Sequence, residues 1–253
     1  MKILSCLPVL AIFLSVAVLS CKKDHHNAPR SCKVIGYYDT VTNRGDYSAY
    51  YAAFTYDEEG RISSTLFGKK DSLSSGYVYN YSANKLVVTP IKTNGPATDT
   101  IILNDKGLPV TMIFKNIGQS YSTHSDYFYA DSAQLRYVID YDQYGKVVDT
   151  VYYHYTDGDL TSMNYSGGYS TQYTYFTDRA ASDAEFSRLQ SLTYTGVIIP
   201  SSRHMLKAVQ AAGYWANYSY TFDNSGRIVS GEEIVSATGG IVTKRTYVYD
   251  CSE

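Results

Sequence analysis

The chain has 253 residues, a formal net charge of −2 and a high tyrosine content, with 28 tyrosines. Its basic residues form no block and no aromatic-plus-basic RNA-binding pattern occurs, so nucleic acid is excluded as an expected partner. The length allows a sizeable core, either in one all-β domain or in two small domains.

The N-terminal segment has the layout of a secretory signal. Lys2 precedes an almost uncharged apolar run, and residues 18–21 read V-L-S-C. That ending resembles a bacterial lipoprotein box, in which the cysteine after the cleavage point receives lipid; an ordinary secreted protein is the alternative. We therefore expect residues 1–20 to be a signal peptide, Cys21 to be lipidated, and residues 21–31 to form a polar tether to a membrane.

From Cys32 onward a turn motif recurs along the chain. Y-D-E-E-G-R-I begins at Tyr56, Y-D-Q-Y-G-K-V at Tyr141 and F-D-N-S-G-R-I-V at Phe222. In D-x-x-G the acidic side chain accepts hydrogen bonds from turn amides, and glycine supplies the positive φ of a tight turn. The flanking residues alternate with period two, which predicts strands. The residues expected to open turns at one end of the sheet are Asp57, Ser82, Asn104, Ala130, Thr156, Thr177 and Asp223.

Breakers halfway between those positions predict turns at the opposite end of the sheet. They lie at residues 68–72, 94–96, 116–119, 142–145, 167–168, 213 and 239–240. Residues 32–253 are therefore predicted to form one all-β domain, an antiparallel up-and-down meander of 14–16 strands. A round barrel of 16 strands is about 30 Å across and too wide for its side chains to fill, so we expect a flattened, plugged or open barrel-like sheet.

Two cysteines bracket the predicted domain. Cys32 opens the first strand and Cys251 follows the last, so an even strand number places both at the same end. If the edges of the sheet meet, the two sulfurs become neighbours. Exported chains meet an oxidising compartment, so a disulfide is expected, with two free thiols as the alternative.

Residues 178–203 interrupt the regular turn spacing. Ser182 and Glu185 form a capping-box pattern before Phe186, Leu189 and Leu192, which predicts a short helix. Such an interruption in a short-looped sheet is expected to be a lid, plug or binding loop, and a passive insertion is the open alternative.

Tyrosines recur at alternate positions before the turns. Packing across strands is the simpler interpretation of this pattern, and an aromatic surface that stacks on sugar rings is the alternative. Adjacent aromatic residues must point to opposite faces of a strand. The candidate ligand-binding residues are therefore Tyr152, Tyr153, Tyr214 and Trp215.

One strand illustrates the expected division between the two faces of the sheet. Leu135, Tyr137, Ile139 and Tyr141 are predicted to lie on the packed face. The opposite face is predicted to carry polar residues in mid-strand, which favours a water-exposed sheet over one that faces lipid. These polar residues are Arg136, Asp140, Gln172, Asn217 and Lys244.

The sequence contains no pattern typical of a catalytic or metal site. The adjacent pairs Glu58-Glu59 and Glu232-Glu233 would point to opposite faces of a strand, so neither is a ready acid/base pair. The five histidines lack zinc-like spacing. We therefore expect neither an enzyme nor a cofactor or metal site.

The Y-D-x-x-G-[RK]-[IV] units, and the P-S-S-R-H-M-L-K-A-V stretch from Pro200, carry a resemblance to a known family. They resemble a Bacteroidetes lipoprotein family of unknown function with a porin-like all-β fold and YD-like repeats. The resemblance covers about residues 32–250 and implies an outer-membrane lipoprotein; it supplies no catalytic residue and leaves the periplasmic or surface side open. We expect a non-catalytic binding module for a glycan or protein ligand, with a structural or assembly lipoprotein as the alternative.

Overall fold

The computed structural model describes residues 32–91, 99–114, 123–130, 134–186, 188, 202–236 and 240–251. The expected signal peptide, Cys21 and the tether lie outside these residues. So do Leu189, Leu192 and the turns predicted at residues 94–96 and 116–119. Within the described ranges, no helix is long and apolar enough to cross a membrane.

The described chain forms a closed barrel of 16 antiparallel strands in sequence order. Neighbours in the chain are neighbours in the sheet, and β1 pairs with β16 to close it. The all-β meander predicted from the turn spacing is thus confirmed. The strands are β1 Lys33–Asn43, β2 Asp46–Tyr56, β3 Ile62–Lys69, β4 Ser72–Ser82, β5 Lys85–Ile91, β6 Asp99–Leu103, β7 Pro109–Ile113, β8 His124–Tyr129, β9 Leu135–Tyr141, β10 Val147–Thr156, β11 Asp159–Tyr165, β12 Ser170–Ala180, β13 His204–Ala211, β14 Tyr214–Phe222, β15 Ile228–Val235 and β16 Ile241–Asp250.

The D-x-x-G motif forms the same hairpin turn wherever it is strongest. In the β2–β3 turn, the Gly60 amide donates to the Asp57 carbonyl and the Asp57 amide donates to the Arg61 carbonyl. A one-residue register shift accompanies the turn, as in a hairpin with a glycine bulge. The β14–β15 turn at Asp223 repeats these bonds, and its glycine has the same positive φ as Gly60, 79°.

Two predictions about β12 are wrong. Thr177 was expected to open a turn, but it lies within β12, which continues to Ala180. A register shift between Phe176 and Ala180 lets the strand run on and pair Ala180 with His204. The irregular connection to β13 therefore begins at residue 181 rather than 178.

The predicted packed face of β9 is also wrong in part. Leu135 and Val138 are buried, whereas Tyr137 lies between Phe128 and Tyr152 on the outer face. A bulge opposite Tyr129 inserts one extra residue into β9, and such a shift exchanges the two faces of a strand. Asp140 consequently turns inward, where it accepts a hydrogen bond from Ser125.

The two faces of the barrel differ sharply in composition. The buried core lies on the inner face and is rich in tyrosine, phenylalanine and aliphatic residues. The outer face of β12, β14 and β16 carries exposed polar residues in mid-strand, namely Gln172, Thr174, Asn217, Ser219, Thr221, Lys244 and Thr246. On these three strands the inner face is thus the apolar one, whereas the outer face of β8 to β10 also carries aromatic residues.

A buried ion pair joins the two strands that close the barrel. Asp39 of β1 and Arg245 of β16 face each other in the register, and both are buried. The guanidinium donates two hydrogen bonds of 2.7 Å to the carboxylate. Such bidentate pairs are directional, so this one fixes the register of the seam between β1 and β16.

Removal of one partner of this pair should destabilise the barrel strongly. We expect Asp39→Ala to cost about 3–5 kcal/mol, because Arg245 would keep a buried, uncompensated charge. The double variant Asp39→Leu with Arg245→Met should recover most of that loss. Urea unfolding of the domain measures both.

Glu232→Gln is the matched control, because it breaks the exposed ion pair between Lys244 and Glu232 of the neighbouring strands. That pair should contribute less than about 1 kcal/mol. Equal losses for Asp39→Ala and Glu232→Gln would contradict a special role of the buried pair.

Candidate functional site at the barrel mouth

One end of the barrel opens into a cavity. We call this end of the barrel the mouth. Strand β1 begins there, β16 ends there, and the turns at Asp57 and Asp223 form its rim. The cavity has a volume of about 840 Å³. It is lined by residues from the first and last strands, from hairpins between them and from the segment after β12, including Cys32, Lys33, Tyr56, Arg61, Tyr81, Asn104, Asp105, Asp183, Arg227 and Tyr249.

Cations and tyrosines alternate along one wall of the mouth. We call this wall the cation–tyrosine arc; it runs from the β14–β15 turn, across the seam, to the end of β4. Each cation lies over the ring of a tyrosine on a neighbouring strand, a contact that attracts positive charge to the ring face. The distances to the ring centroid are 5.6 Å for Arg227 over Tyr249, 5.1 Å for Lys33 over Tyr56 and 4.3 Å for Arg61 over Tyr81.

The turn aspartates hold the two arginines of the arc in place. The Arg61 Nε–H donates to Asp57 at 2.8 Å, and the Arg227 Nε–H donates to Asp223 at 2.6 Å. The backbone amide of Arg227 also donates to Asp223, and together with the guanidinium it holds the pKa of that carboxyl below its usual range. Each Asp therefore both closes its turn and orients an arginine at the rim.

The tyrosines of the arc are fixed and protonated. Burial raises the pKa of Tyr56, Tyr81 and Tyr249 to about 12 each, so their hydroxyls remain donors at neutral pH. The Tyr56 hydroxyl donates to the Val34 carbonyl at 2.5 Å. The Tyr249 hydroxyl donates to the Ile228 carbonyl at 2.7 Å. The hydroxyls of two of the three rings are thus tied to backbone carbonyls.

The mouth carries both signs of charge. Both arginine charges are matched by carboxylates of their own turns. Among the described residues, Lys33 has no carboxylate within ion-pair distance, and Asp105 has no cationic side chain within that distance. The site therefore offers ordered donors and acceptors without a strong excess of either charge.

Residues 182–186, which we call the plug, enter the barrel at the mouth. The predicted capping box is present: the Ser182 amide donates to Glu185 Oε1 at 2.7 Å, and the Ala184 amide donates to Ser182 Oγ. Glu185 Oε2 accepts a hydrogen bond of 2.8 Å from the Leu206 amide of β13. Burial raises the pKa of Glu185, against the lowering effect of these amides.

Phe186 lies inside the barrel. Its ring centroid is 6.0 Å from that of Tyr218 and 6.4 Å from that of Tyr220, both inward residues of β14. The Arg245 guanidinium lies 4.3 Å from the Phe186 centroid. A Cβ on Gly231 would lie 2.6 Å from the Phe186 ring, so this position of β15 needs glycine. Residues 178–203 were expected to form a lid, a plug, a binding loop or a passive insertion. The described residues 182–186 form a plug.

The structure does not bring the four ligand candidates together. Tyr152 and Trp215 face outward and are 47% and 42% exposed, but they lie on β10 and β14, with three strands between them. Tyr153 and Tyr214 belong to the inner face, where burial raises the pKa of both.

The outward aromatic residues of β8 to β10 pack on one another. The Phe128 and Tyr137 rings stack at 4.4 Å, and the Tyr137 and Tyr152 centroids are 6.2 Å apart. The stacked ring faces of Phe128 and Tyr137 are thus covered by each other rather than presented as a flat platform.

The mouth residues Lys33, Arg61 and Arg227 were missed by sequence reasoning. The available signal was the basic residue four positions after the turn aspartate, in D-E-E-G-R and D-N-S-G-R. In the sequence this residue reads only as part of the turn. Its tyrosine partner lies on the next hairpin, about 20 residues further along the chain, so the pairing is not visible locally.

Comparison with known proteins supports the fold. A porin-like protein from Bacteroides uniformis aligns with a TM-score of 0.61 and 13% identity, over 86% of this chain and 96% of that one. A porin-like protein from Bacteroides vulgatus aligns over 86% of this chain and 98% of that one at 11% identity, with a TM-score of 0.31, too low to support an argument. No family model and no curated protein matches the sequence.

The plug should contribute substantially to stability. We expect Phe186→Ala to lower the free energy of unfolding by about 3–5 kcal/mol, because it leaves a cavity among Tyr218, Tyr220 and Arg245. Phe128→Ala, on the outer face, is the matched control and should cost much less. Thermal and urea unfolding of the two variants measure the difference, and similar losses would show that the plug is peripheral.

Proposed function

We propose that this chain is a non-catalytic, lipid-anchored binding protein of the cell envelope, and that its ligand is a short, uncharged oligosaccharide held in the mouth cavity. One observation carries this proposal: a cavity of about 840 Å³ bounded by the cation–tyrosine arc on one side and the plug on the other. That volume lies in the range of small-molecule sites, about 300–1,000 Å³.

The polar groups of the mouth suit a polyhydroxylated ligand. Sugar hydroxyls need donors and acceptors at fixed positions, and an immobilised site loses less entropy on binding. Arg61 is held by Asp57, while Asn104 is held by the turn amides of Lys106 and Leu108. Because the arginine charges are already matched, a highly charged ligand gains little from this site.

The shape of the mouth favours a small ligand over a folded protein partner. Stable protein interfaces bury about 1,200–2,000 Å² over broad surfaces, and the mouth is a concave site between short turns. A structural or assembly lipoprotein without a small-molecule site remains the second candidate; the burial of most tyrosine rings on the inner face favours it.

The distribution of polar residues supports a lipid anchor over a barrel wall as the membrane attachment. A lipid-facing barrel needs an apolar outer band, yet the outer faces of β12, β14 and β16 are polar in mid-strand. Apart from the cavity at the mouth, the described interior is packed mainly with aromatic and aliphatic side chains and the plug rather than forming a polar lumen. The porin-like fold is compatible with an envelope location.

The proposed anchor also orients the mouth. Cys32 lies at the mouth, and residues 22–31, even fully extended, span at most about 35 Å. A lipid on Cys21 would therefore keep the cavity close to the bilayer surface.

The oligosaccharide proposal is tested with residues of the arc. A glycan-array screen of the domain should identify a ligand, and titration calorimetry should then show at least a tenfold loss of affinity for Arg61→Ala. Trp215→Ala and Tyr152→Ala, which alter exposed aromatic residues away from the mouth, should bind as the unchanged domain does. A loss confined to the Trp215 or Tyr152 variants would move the site to the outer face, and an array without any ligand would favour the structural alternative.

The anchor has its own test. The processed chain expressed in a bacterium that carries lipoprotein-processing enzymes should partition into the detergent phase, because acyl chains on Cys21 bury in apolar surroundings. Cys21→Ala should move the protein to the aqueous phase. Cys6→Ala, which changes the other cysteine of the N-terminal segment, is the control and should not. Membrane association of the Cys21 variant after processing would contradict the anchor.

A further inference from the structure

The disulfide at the mouth lies next to a fixed arginine. Cys32 and Cys251 are joined by a disulfide across the β1–β16 seam. The Arg227 Nη1 group lies 2.8 Å from the Cys32 sulfur and 2.7 Å from the Cys251 sulfur. The guanidinium is held there by Asp223, through Nε–H and Nη2. A charged donor therefore contacts both sulfurs of the bond.

This position of Arg227 favours the products of reduction. A disulfide is neutral, whereas its cleavage releases a thiolate, and a neighbouring cation stabilises a thiolate. A stabilised thiolate is also a better leaving group in thiol–disulfide exchange. The other charged residues close to the bond are Lys33, which follows Cys32, and Asp250, which pairs with Lys33 in the ladder and precedes Cys251. Arg227 is itself paired with Asp223, so its effect on a thiolate comes from the N–H group that it directs at both sulfurs rather than from an unmatched charge.

The two cysteines differ in their relation to the cavity. Cys32 is one of the residues that line it, whereas Cys251, which is also half-buried, is not. A molecule inside the cavity therefore approaches the bond from the side of Cys32. Of the two sulfurs, Cys251 is then the one that departs, towards the Arg227 guanidinium.

We propose that Cys32–Cys251 is a thiol-exchange site that accepts a small-molecule thiol from the mouth cavity. The incoming thiolate forms a bond to Cys32 Sγ, the Cys32–Cys251 bond breaks, and the electron pair remains on Cys251 Sγ as a thiolate beside Arg227. The product is a mixed disulfide on Cys32. A second thiol would release both cysteines and leave with the first as a small-molecule disulfide, so electrons balance at each step.

Such a modification alters the mouth without opening the barrel. The β1–β16 ladder runs from the Lys33–Asp250 pair to the Asn43–Ile241 pair, and Asp39–Arg245 fixes its middle. An adduct on Cys32 would occupy part of the cavity. A thiol attached to Cys32 would therefore occupy the mouth covalently. This holds whether or not the cavity also binds a sugar.

The first test is the redox equilibrium of the domain in buffers of reduced and oxidised glutathione, with Arg227→Gln compared to the unchanged domain. Half-reduction of the variant should require an about tenfold higher value of [GSH]²/[GSSG], which is equivalent to a reduction potential lower by about 30 mV. Arg61→Gln is the matched control, because Arg61 makes the same turn contacts with Asp57 but touches no sulfur. Arg227→Lys should lie between, since it keeps the charge. Equal midpoints for the Gln variants would overturn the role of Arg227, provided both retain the circular dichroism spectrum of the fold.

The second test identifies the modified sulfur. The oxidised domain is exposed briefly to glutathione, quenched with an alkylating agent and analysed by peptide mass spectrometry. Glutathione on Cys32 with an alkylated Cys251 is the expected product. The reverse pattern, or no adduct and no reduction at millimolar glutathione, would overturn the proposed exchange site.

Discussion

A closed barrel of 16 strands encloses more space than ordinary side chains can fill, and the rest of this structure depends on how that space is occupied. Tyrosine is the largest side chain used repeatedly on the inner face, and it keeps a polar group that can reach a carbonyl. Phe186 of the plug takes part of the remaining volume, for which Gly231 leaves room, and the cavity at the mouth stays open. The tyrosine content and the irregular segment after β12 therefore answer the same physical requirement.

Arg245 links the filling of the barrel to its closure. It holds Asp39 across the seam, and its guanidinium lies between the rings of Tyr37 and Phe186, at 3.8 and 4.3 Å from their centroids. Buried ion pairs often contribute little net stability, but they reject alternative registers because any slip leaves a charge unpaired. Strand register, barrel closure and plug position are thus specified together around one guanidinium.

The sequence predicted the strand number and the shared end of the two cysteines because hairpin turns are written locally, as in D-E-E-G-R after Tyr56. It failed where irregularities changed the register: three residues without a partner in the ladder, 177–179, let β12 run past the turn expected at Thr177, and one extra residue in β9 exchanged the faces at Tyr137. The mouth site was not predicted, since the contact of Arg61 with Tyr81 depends on where the two side chains lie at the rim of neighbouring hairpins, which strand order does not specify. The adjacent aromatic pairs that contain Tyr152 and Trp215 did not identify the site either. They lie on β10 and β14, which are not neighbours in the barrel, so the two exposed rings are far apart.

The pairing of β1 with β16 also determines the order in which the barrel can assemble. Every other hairpin forms between strands adjacent in the chain, whereas this ladder joins residues about 210 positions apart, as its disulfide partners at a separation of 219 illustrate. Long-range pairing carries a large loop-closure cost and is formed late. During synthesis, β1 therefore emerges before the other strands and keeps an unpaired edge until the last strand arrives. That edge is open to pairing with other chains throughout this interval, which makes delayed closure the step most exposed to aggregation.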